Sequence, residues 1–207
     1  MGRRIKGLYK ATRIDQIRAM SSPLRLEVLE AACSMGECSV GEIADRLGRT
    51  RTSTYALVAQ LVEVGLLSPT GSRRTGKRDE TLYSAPARMV GSVFDSSDPK
   101  NVDAHVRYGT ALMRMAGRKL TEAFVSPDAR VRGPRRDTHA GSHKVWLNRA
   151  ELAELNKKVD EIWAMCRSTE PGPGKKLINV TLTLTPDRDR NDDSTPDRAT
   201  GTRRPRR

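Results

Sequence analysis

The stretch Ser39-Val40-Gly41-Glu42-Ile43-Ala44-Asp45-Arg46-Leu47-Gly48-Arg49-Thr50-Arg51-Thr52-Ser53-Thr54-Tyr55-Ala56-Leu57-Val58-Ala59-Gln60-Leu61-Val62-Glu63-Val64-Gly65 decides the fold. Ser39 and Glu42 stand at capping-box spacing, where each side chain satisfies the other residue's orphan backbone N–H at a helix start. Val40, Ile43, Ala44 and Leu47 then form the inner stripe of a short helix, which Gly48 ends. Arg49-Thr50-Arg51 is a three-residue turn. A second helix is expected from about Thr52 to Val64, burying Tyr55 or Leu57 with Val58, Leu61 and Val62, and Gly65 stops it.

The pattern continues on both sides. Ile14 to Met20 suits a first helix. Ser22 can cap the next one, Pro23 sits where a missing N–H costs nothing, and Leu26, Leu29 and Cys33 recur at helical spacing until Gly36. Downstream, Leu66-Leu67 enters a strand and Thr81-Leu82-Tyr83 returns as its partner. They are joined through Arg73-Arg74-Thr75-Gly76-Lys77-Arg78, a loop crowded with like charge. Residues 22–83 are therefore expected to form a winged helix-turn-helix with a basic wing. That arrangement offers one helix to a DNA major groove and a charged hairpin to the flanking backbone.

Composition agrees. The chain has 207 residues and a net charge of +13, spread over both halves, which points to a polyanion as partner. Hydrophobic residues make up 36% and aromatics only 4%, a thin supply for a core, so part of the chain is expected to be linker and tail. Cys33, Cys38 and Cys166 are irregularly spaced and imply no disulfide framework. No apolar run follows the basic start, Lys6 stands where a myristoylation motif wants Ser or Thr, and no run approaches a membrane span. The expectation is a cytoplasmic, nucleoid-associated protein without membrane contact.

The remaining organisation is expected as follows. Residues 1–13 form a basic arm, either frayed or touching phosphate or a partner; residues 14–90 form the winged helix-turn-helix; residues 91–185 form a helical dimerisation or sensing region with a terminal strand; residues 186–207 form a disordered charged tail. Within the third region a helix is expected from Asp103 to Phe124, with Val106, Met113, Ala116, Leu120 and Phe124 on one stripe. After a basic loop at 126–145, Asn148 and Glu151 start another helix. Its Leu152, Leu155, Val159, Ile162 and Cys166 are spaced as a helix-packing seam, serving either a dimer or an intrachain bundle. Leu177 to Leu184 alternates as a strand. The overall class is mostly α with a small β-hairpin wing.

The sequence also resembles a known family. Ser21 to Leu29 is similar to the opening helix of arsenical-resistance-repressor-like (ArsR-like) winged-helix regulators. Ser39 to Gly48 resembles their first helix-turn-helix element, and Thr52 to Leu67 their recognition helix running into the first wing strand. The resemblance covers residues 14–84 and implies a homodimer on an operator with inverted half-sites. Two departures concern sensing. Metal-sensing members carry Cys-x-Cys where this chain has Ser39 and Gly41, and many place a His where Leu57 stands. Tyr55, and Trp146-Leu147-Asn148 with Glu151-Leu152 downstream, are similar to a subgroup with longer C-terminal regions.

The residues expected to meet double-stranded DNA are Arg49, Arg51, Thr52, Ser53 and Tyr55 around the recognition helix, and Arg73, Arg74, Lys77 and Arg78 in the wing. Arginine can grip guanine through two hydrogen bonds, while Thr and Ser serve phosphate or base edges. Tyr55 is expected to lie half in the core and half in the groove. Cys33 and Cys38 lack the companions of a metal site, so no metal or other cofactor is expected, although a small-molecule effector is left open. Nothing catalytic emerges: the chain has no phosphate-binding glycine loop, no His-Glu-x-x-His and no G-x-S-x-G. The alternatives to a sequence-specific regulator are a non-specific nucleic-acid or chromatin protein and a winged-helix scaffold for protein partners.

Overall fold

The structure, a computed structural model, describes residues 7–76 and 78–187, with residue 78 by its backbone alone. Lys77, the Arg78 side chain, the first six residues of the arm and all but the start of the charged tail therefore lie outside the described residues.

Four helices make the first body of the protein: α1 (Ile14–Met20), α2 (Pro23–Met35), α3 (Val40–Leu47) and α4 (Arg51–Glu63). Their starts follow from the local chemistry. Pro23 opens α2 behind Ser22. The capping box at α3 forms, with the Ser39 N–H donating to Glu42 Oε2 at 2.8 Å and the Glu42 N–H to Ser39 Oγ at 3.3 Å. Thr50 caps α4: the Ser53 N–H donates to its Oγ1 at 3.3 Å, and the helix starts one residue earlier than expected. Ile17, Met20, Leu29, Ile43, Leu61, Leu66 and Leu67 are fully or almost fully buried and form one core. Gln16, buried among them, donates to the Val64 carbonyl at 3.0 Å and accepts from the Tyr9 hydroxyl at 3.1 Å. It thereby satisfies a carbonyl left over at the end of α4.

A three-stranded antiparallel sheet completes the winged helix. Strand β2 (Cys38–Ser39) pairs with β4 (Arg78–Ser84), which pairs with β3 (Ser68–Thr75). The register sets Ser39 opposite Leu82 and Arg73 opposite Glu80, with an irregularity between Pro69 and Gly71. Proline lacks the N–H that a ladder needs, so the bulge falls where pairing is weakest. Every residue of β3 is exposed.

The N-terminal arm is corrected by the structure. Leu8–Ala11 is a strand, β1, pairing in parallel with β5 (Met89–Ser92), which spans the boundary expected between residues 90 and 91. Ala11 is completely buried and Tyr9 half-buried, so the strand turns alternate residues inward. Its partner lies some eighty residues downstream, and no local pattern announces such a pairing.

Helix α5 (Pro99–Val125) begins four residues before the expected start, because Asp98 caps it and Pro99 fits its first turn. Its inner face is also different. Asn101, Ala104, Ala111 and Met115 are buried, while Val106, Met113 and Phe124 of the expected stripe are exposed. The helix lies against α1 and α2 through small residues, close enough for Ser21 Oγ to donate to the Ala104 carbonyl at 3.4 Å. Alanines that permit close approach carry little hydrophobic signal of their own. Helix α6 (Arg149–Ser168) starts on a second capping box, Asn148 with Glu151, and has no buried residue. The expected strand at 177–184 does not form: this segment has no regular secondary structure, since it finds no strand edge to pair with among the described residues. No helix among the described residues is long and apolar enough to cross a membrane.

Candidate nucleic-acid interface

Helix α4 turns Thr54, Val58 and Leu61 into the core, which leaves Arg51, Thr52, Ser53, Tyr55 and Ala56 on the outer side of its first two turns. Thr54 is fully buried, and its hydroxyl donates to the Thr50 carbonyl at 2.9 Å. Tyr55 is 56% exposed, so it belongs to the outer surface and not to the core. Ser53 is partly committed to the cap, since its Oγ donates to the Thr50 carbonyl at 3.0 Å. Arg51, Thr52 and Tyr55 are the residues most available to a groove.

Arg51 also connects this helix to the wing. Its Nη1 lies 3.6 Å from Glu80 Oε1 on β4, and its guanidinium covers Gly41. A methyl group at position 41 would sit 3.1 Å from Arg51 Cζ, so the guanidinium would have to shift by a few tenths of an ångström to admit it. On the facing strand, Arg73 Nη2 meets Glu42 Oε1 at 2.8 Å. Glu42 therefore caps α3 with one oxygen and holds the wing with the other. The Ser39 N–H, against partial burial and aided by Arg73, keeps the Glu42 carboxyl below the usual carboxylate range. Arg74 is exposed and forms no ion pair among the described residues. The two carboxylates tie the start of α4 to β4 and the start of α3 to β3, near the tip of the wing. Without a polyanion they neutralise two arginines that would otherwise face solvent unpaired.

Arg49 is the correction within the expected set. It is half-buried and points inward, with Nη2 donating to Glu27 Oε2 at 3.1 Å. Glu27, buried on α2, also accepts from Arg118 Nη2 of α5 through Oε1 at 2.6 Å. Burial pushes the Glu27 pKa upward, but the hydrogen bonds from Arg118 and Arg49 outweigh it and hold the carboxyl below its ordinary value. A single buried carboxylate thus ties the turn before α4 to both α2 and α5. Sequence reasoning missed this link. The available signal was Glu27 itself, a charged residue inside the apolar run Leu26 to Cys33 that needs a cation to be buried.

Cys33 and Cys38 are buried. Burial, with nearby Glu30 and Cys38, pushes the Cys33 thiol up to about 12, and burial with Glu42 and Glu37 pushes Cys38 up to about 11. Neither is a thiolate at neutral pH. Among the described residues no cluster of His, Cys, Asp or Glu could hold a metal ion. The Leu152, Leu155, Val159 and Ile162 seam lies on α6, where Leu152 is exposed and the other three are half-buried.

Residues 26–71 match the IclR helix-turn-helix domain. No curated protein matches the chain. Among solved structures it is similar to the PcaV transcriptional regulator from Streptomyces coelicolor, crystallised with its natural ligand, at 15% identity over 69% of this chain and 74% of that one, with a TM-score of 0.30. It is also similar to a mutant of ZitR from Lactococcus lactis (12%, 69% and 74%, TM-score 0.25) and to AdcR, the adhesin competence repressor of Streptococcus pyogenes (11%, 70% and 81%, TM-score 0.26). These likenesses are remote, and neither ligand nor partner carries across from them. The matching domain is of the IclR type, which refines the ArsR-like resemblance to the broader helix-turn-helix class. The chain carries a helix-turn-helix DNA-binding domain of the kind used by transcription regulators.

Proposed function

We propose that the protein is a transcription regulator that binds duplex DNA sequence-specifically as a homodimer. Helix α4 enters the major groove with Arg51, Thr52, Ser53 and Tyr55, while Arg73, Arg74, Lys77 and Arg78 of the wing grip the flanking backbone. The observation that carries this reading is that Arg51–Glu80 ties the exposed start of α4 to β4, while Arg73–Glu42 ties the exposed basic strand β3 to the start of α3. The α6 stripe supports a second copy as partner. A capped 20-residue helix with no buried residue gains its stability from packing, and beside it Trp146 is 89% exposed. In this reading the protein works on the nucleoid in the cytoplasm, without a cofactor and without catalysis. The ArsR-like kinship of residues 14–84 remains part of the proposal, since the match at 26–71 supports the helix-turn-helix class and not that branch.

The test is selection of bound sites from random duplex DNA by the full chain at two salt concentrations. The expected result is an enriched inverted repeat with half-sites about one helical turn apart. That preference should vanish in the Arg51→Ala/Ser53→Ala double variant while the fold is retained. Salt-sensitive retention without any motif would overturn specific recognition in favour of a basic protein that coats DNA. An absence of binding at low salt would point to a protein-binding scaffold.

A further inference from the structure

Helices α1, α2 and α5 border a cleft of about 590 Å³ that four arginines line: Arg18 from α1, Arg25 from α2, and Arg107 and Arg114 from α5. Arg107 and Arg114 stand two helical turns apart, so one face of α5 presents both. The carboxylate that lines the cleft, Asp103, is committed to Arg107 at 3.0 Å. Arg25 donates to neutral acceptors, the Ala19 carbonyl at 2.7 Å, the Arg18 carbonyl at 3.3 Å and Gln60 Oε1 at 3.0 Å. The side chains of Arg18 and Arg114 form no hydrogen bond or ion pair among the described residues. Three guanidiniums from three helices therefore share one concavity without a carboxylate to balance them. At the wing the same residue type is treated differently, since Arg51 and Arg73 each face a glutamate.

We propose that this cleft binds a small, multiply charged oxyanion, a phosphate- or polycarboxylate-bearing metabolite, clamped by Arg18, Arg25 and Arg114. A guanidinium stays charged at any physiological pH, and its fork of donors matches the oxygens of phosphate and carboxylate alike. Arg18 and Arg114 are exposed and so open to a ligand arriving from solvent, whereas Arg25 is half-buried and held in place by its three acceptors. The cleft is also removed from the groove-facing turns of α4. Arg25 reaches α4 at Gln60, near the end of the helix opposite to Arg51, roughly 13 Å along the axis at 1.5 Å per residue. An anion that draws on Arg25 thus bears on α4 through Gln60. That consequence rests on the regulator reading, whereas occupancy of the cleft does not.

The test is calorimetric titration of the full chain, without DNA and at fixed ionic strength, with pyrophosphate, citrate and acetate. Pyrophosphate or citrate should bind saturably, the tighter of the two telling phosphate from carboxylate, and singly charged acetate should bind at least tenfold more weakly. Arg18→Gln with Arg114→Gln should weaken the tighter anion about tenfold, and because both side chains are exposed and unbonded the fold should be unaffected. Arg73→Gln with Arg74→Gln, on the wing, should leave anion affinity unchanged. Equal affinity with and without Arg18 and Arg114, a loss confined to the wing variant, or no saturable binding of either anion would overturn the proposal. So would a drop in the salt dependence of DNA binding in the Arg18/Arg114 variant as large as in the wing variant, which would make these arginines contacts to the DNA backbone. Because the titration contains no DNA, its failure leaves the regulator reading standing, and failure of site selection leaves the anion site standing.

Discussion

The winged helix and helix α6 follow the same local rules and reach opposite ends. Both α3 and α6 open on a full capping box, yet Val40, Ile43 and Ala44 of α3 vanish into a shared core while α6 has no residue more than half-buried. Caps determine where a helix starts. Burial determines whether it belongs to a cooperative unit, because most helical stability in proteins comes from packing an apolar face. Residues 8–92 with α5 are such a unit. Helix α6 has the signals of a helix without a buried face of its own.

The difference can be broken experimentally, beginning with its core. Ile43→Ala, at a fully buried position, should lower the unfolding free energy by about 3 kcal/mol in denaturant titration. Glu27→Ala should cost about 2 kcal/mol, less than a fully enclosed ion pair because both arginines are partly exposed. Its pH signature is distinctive. The folded Glu27 pKa lies below the ordinary value of 4.5, so its stabilisation is complete above that value and fades as pH falls through the depressed one. Removing Arg73 and Arg74 should reduce the slope of log affinity against log salt by about one unit per arginine in each protomer, without lowering the melting temperature.

The smallest effect on stability belongs to α6. Leu155→Ala with Val159→Ala should change the unfolding free energy of the winged helix by less than about 0.5 kcal/mol, yet weaken self-association in sedimentation. A loss as large as that of Ile43→Ala would show that the two regions share one core.

Much of this molecule is legible in its sequence wherever the deciding contact is local. The box at Ser39 and Glu42, the glycine stops and the outward set at the start of α4 all follow from residues within four positions of one another. What escapes is long-range. The β1–β5 pairing, the Glu27 bridge to Arg49 and Arg118, and the inner face of α5 each join residues separated by twenty or more positions. In α5 the larger side chains misled, since Ala104 and Ala111 take the inside by being small. The same holds for the two ion pairs around the wing: Glu80 meets Arg51 and Glu42 meets Arg73 only once β3 and β4 have paired and packed beside α3 and α4.

The pairing of Leu8–Ala11 with Met89–Ser92 also fixes an order in time. A parallel pair requires a crossover between its strands, and here the crossover is residues 12–88, the whole helix-turn-helix with its wing. As the chain leaves the ribosome, the first strand is made early and waits through the synthesis of everything it will eventually enclose. The helices can settle on one another as they emerge, but the sheet closes only after Ser92 has appeared. Leu8–Ala11 therefore cannot pair until the whole helix-turn-helix and its wing have been made, and α5 of the same core is made later still.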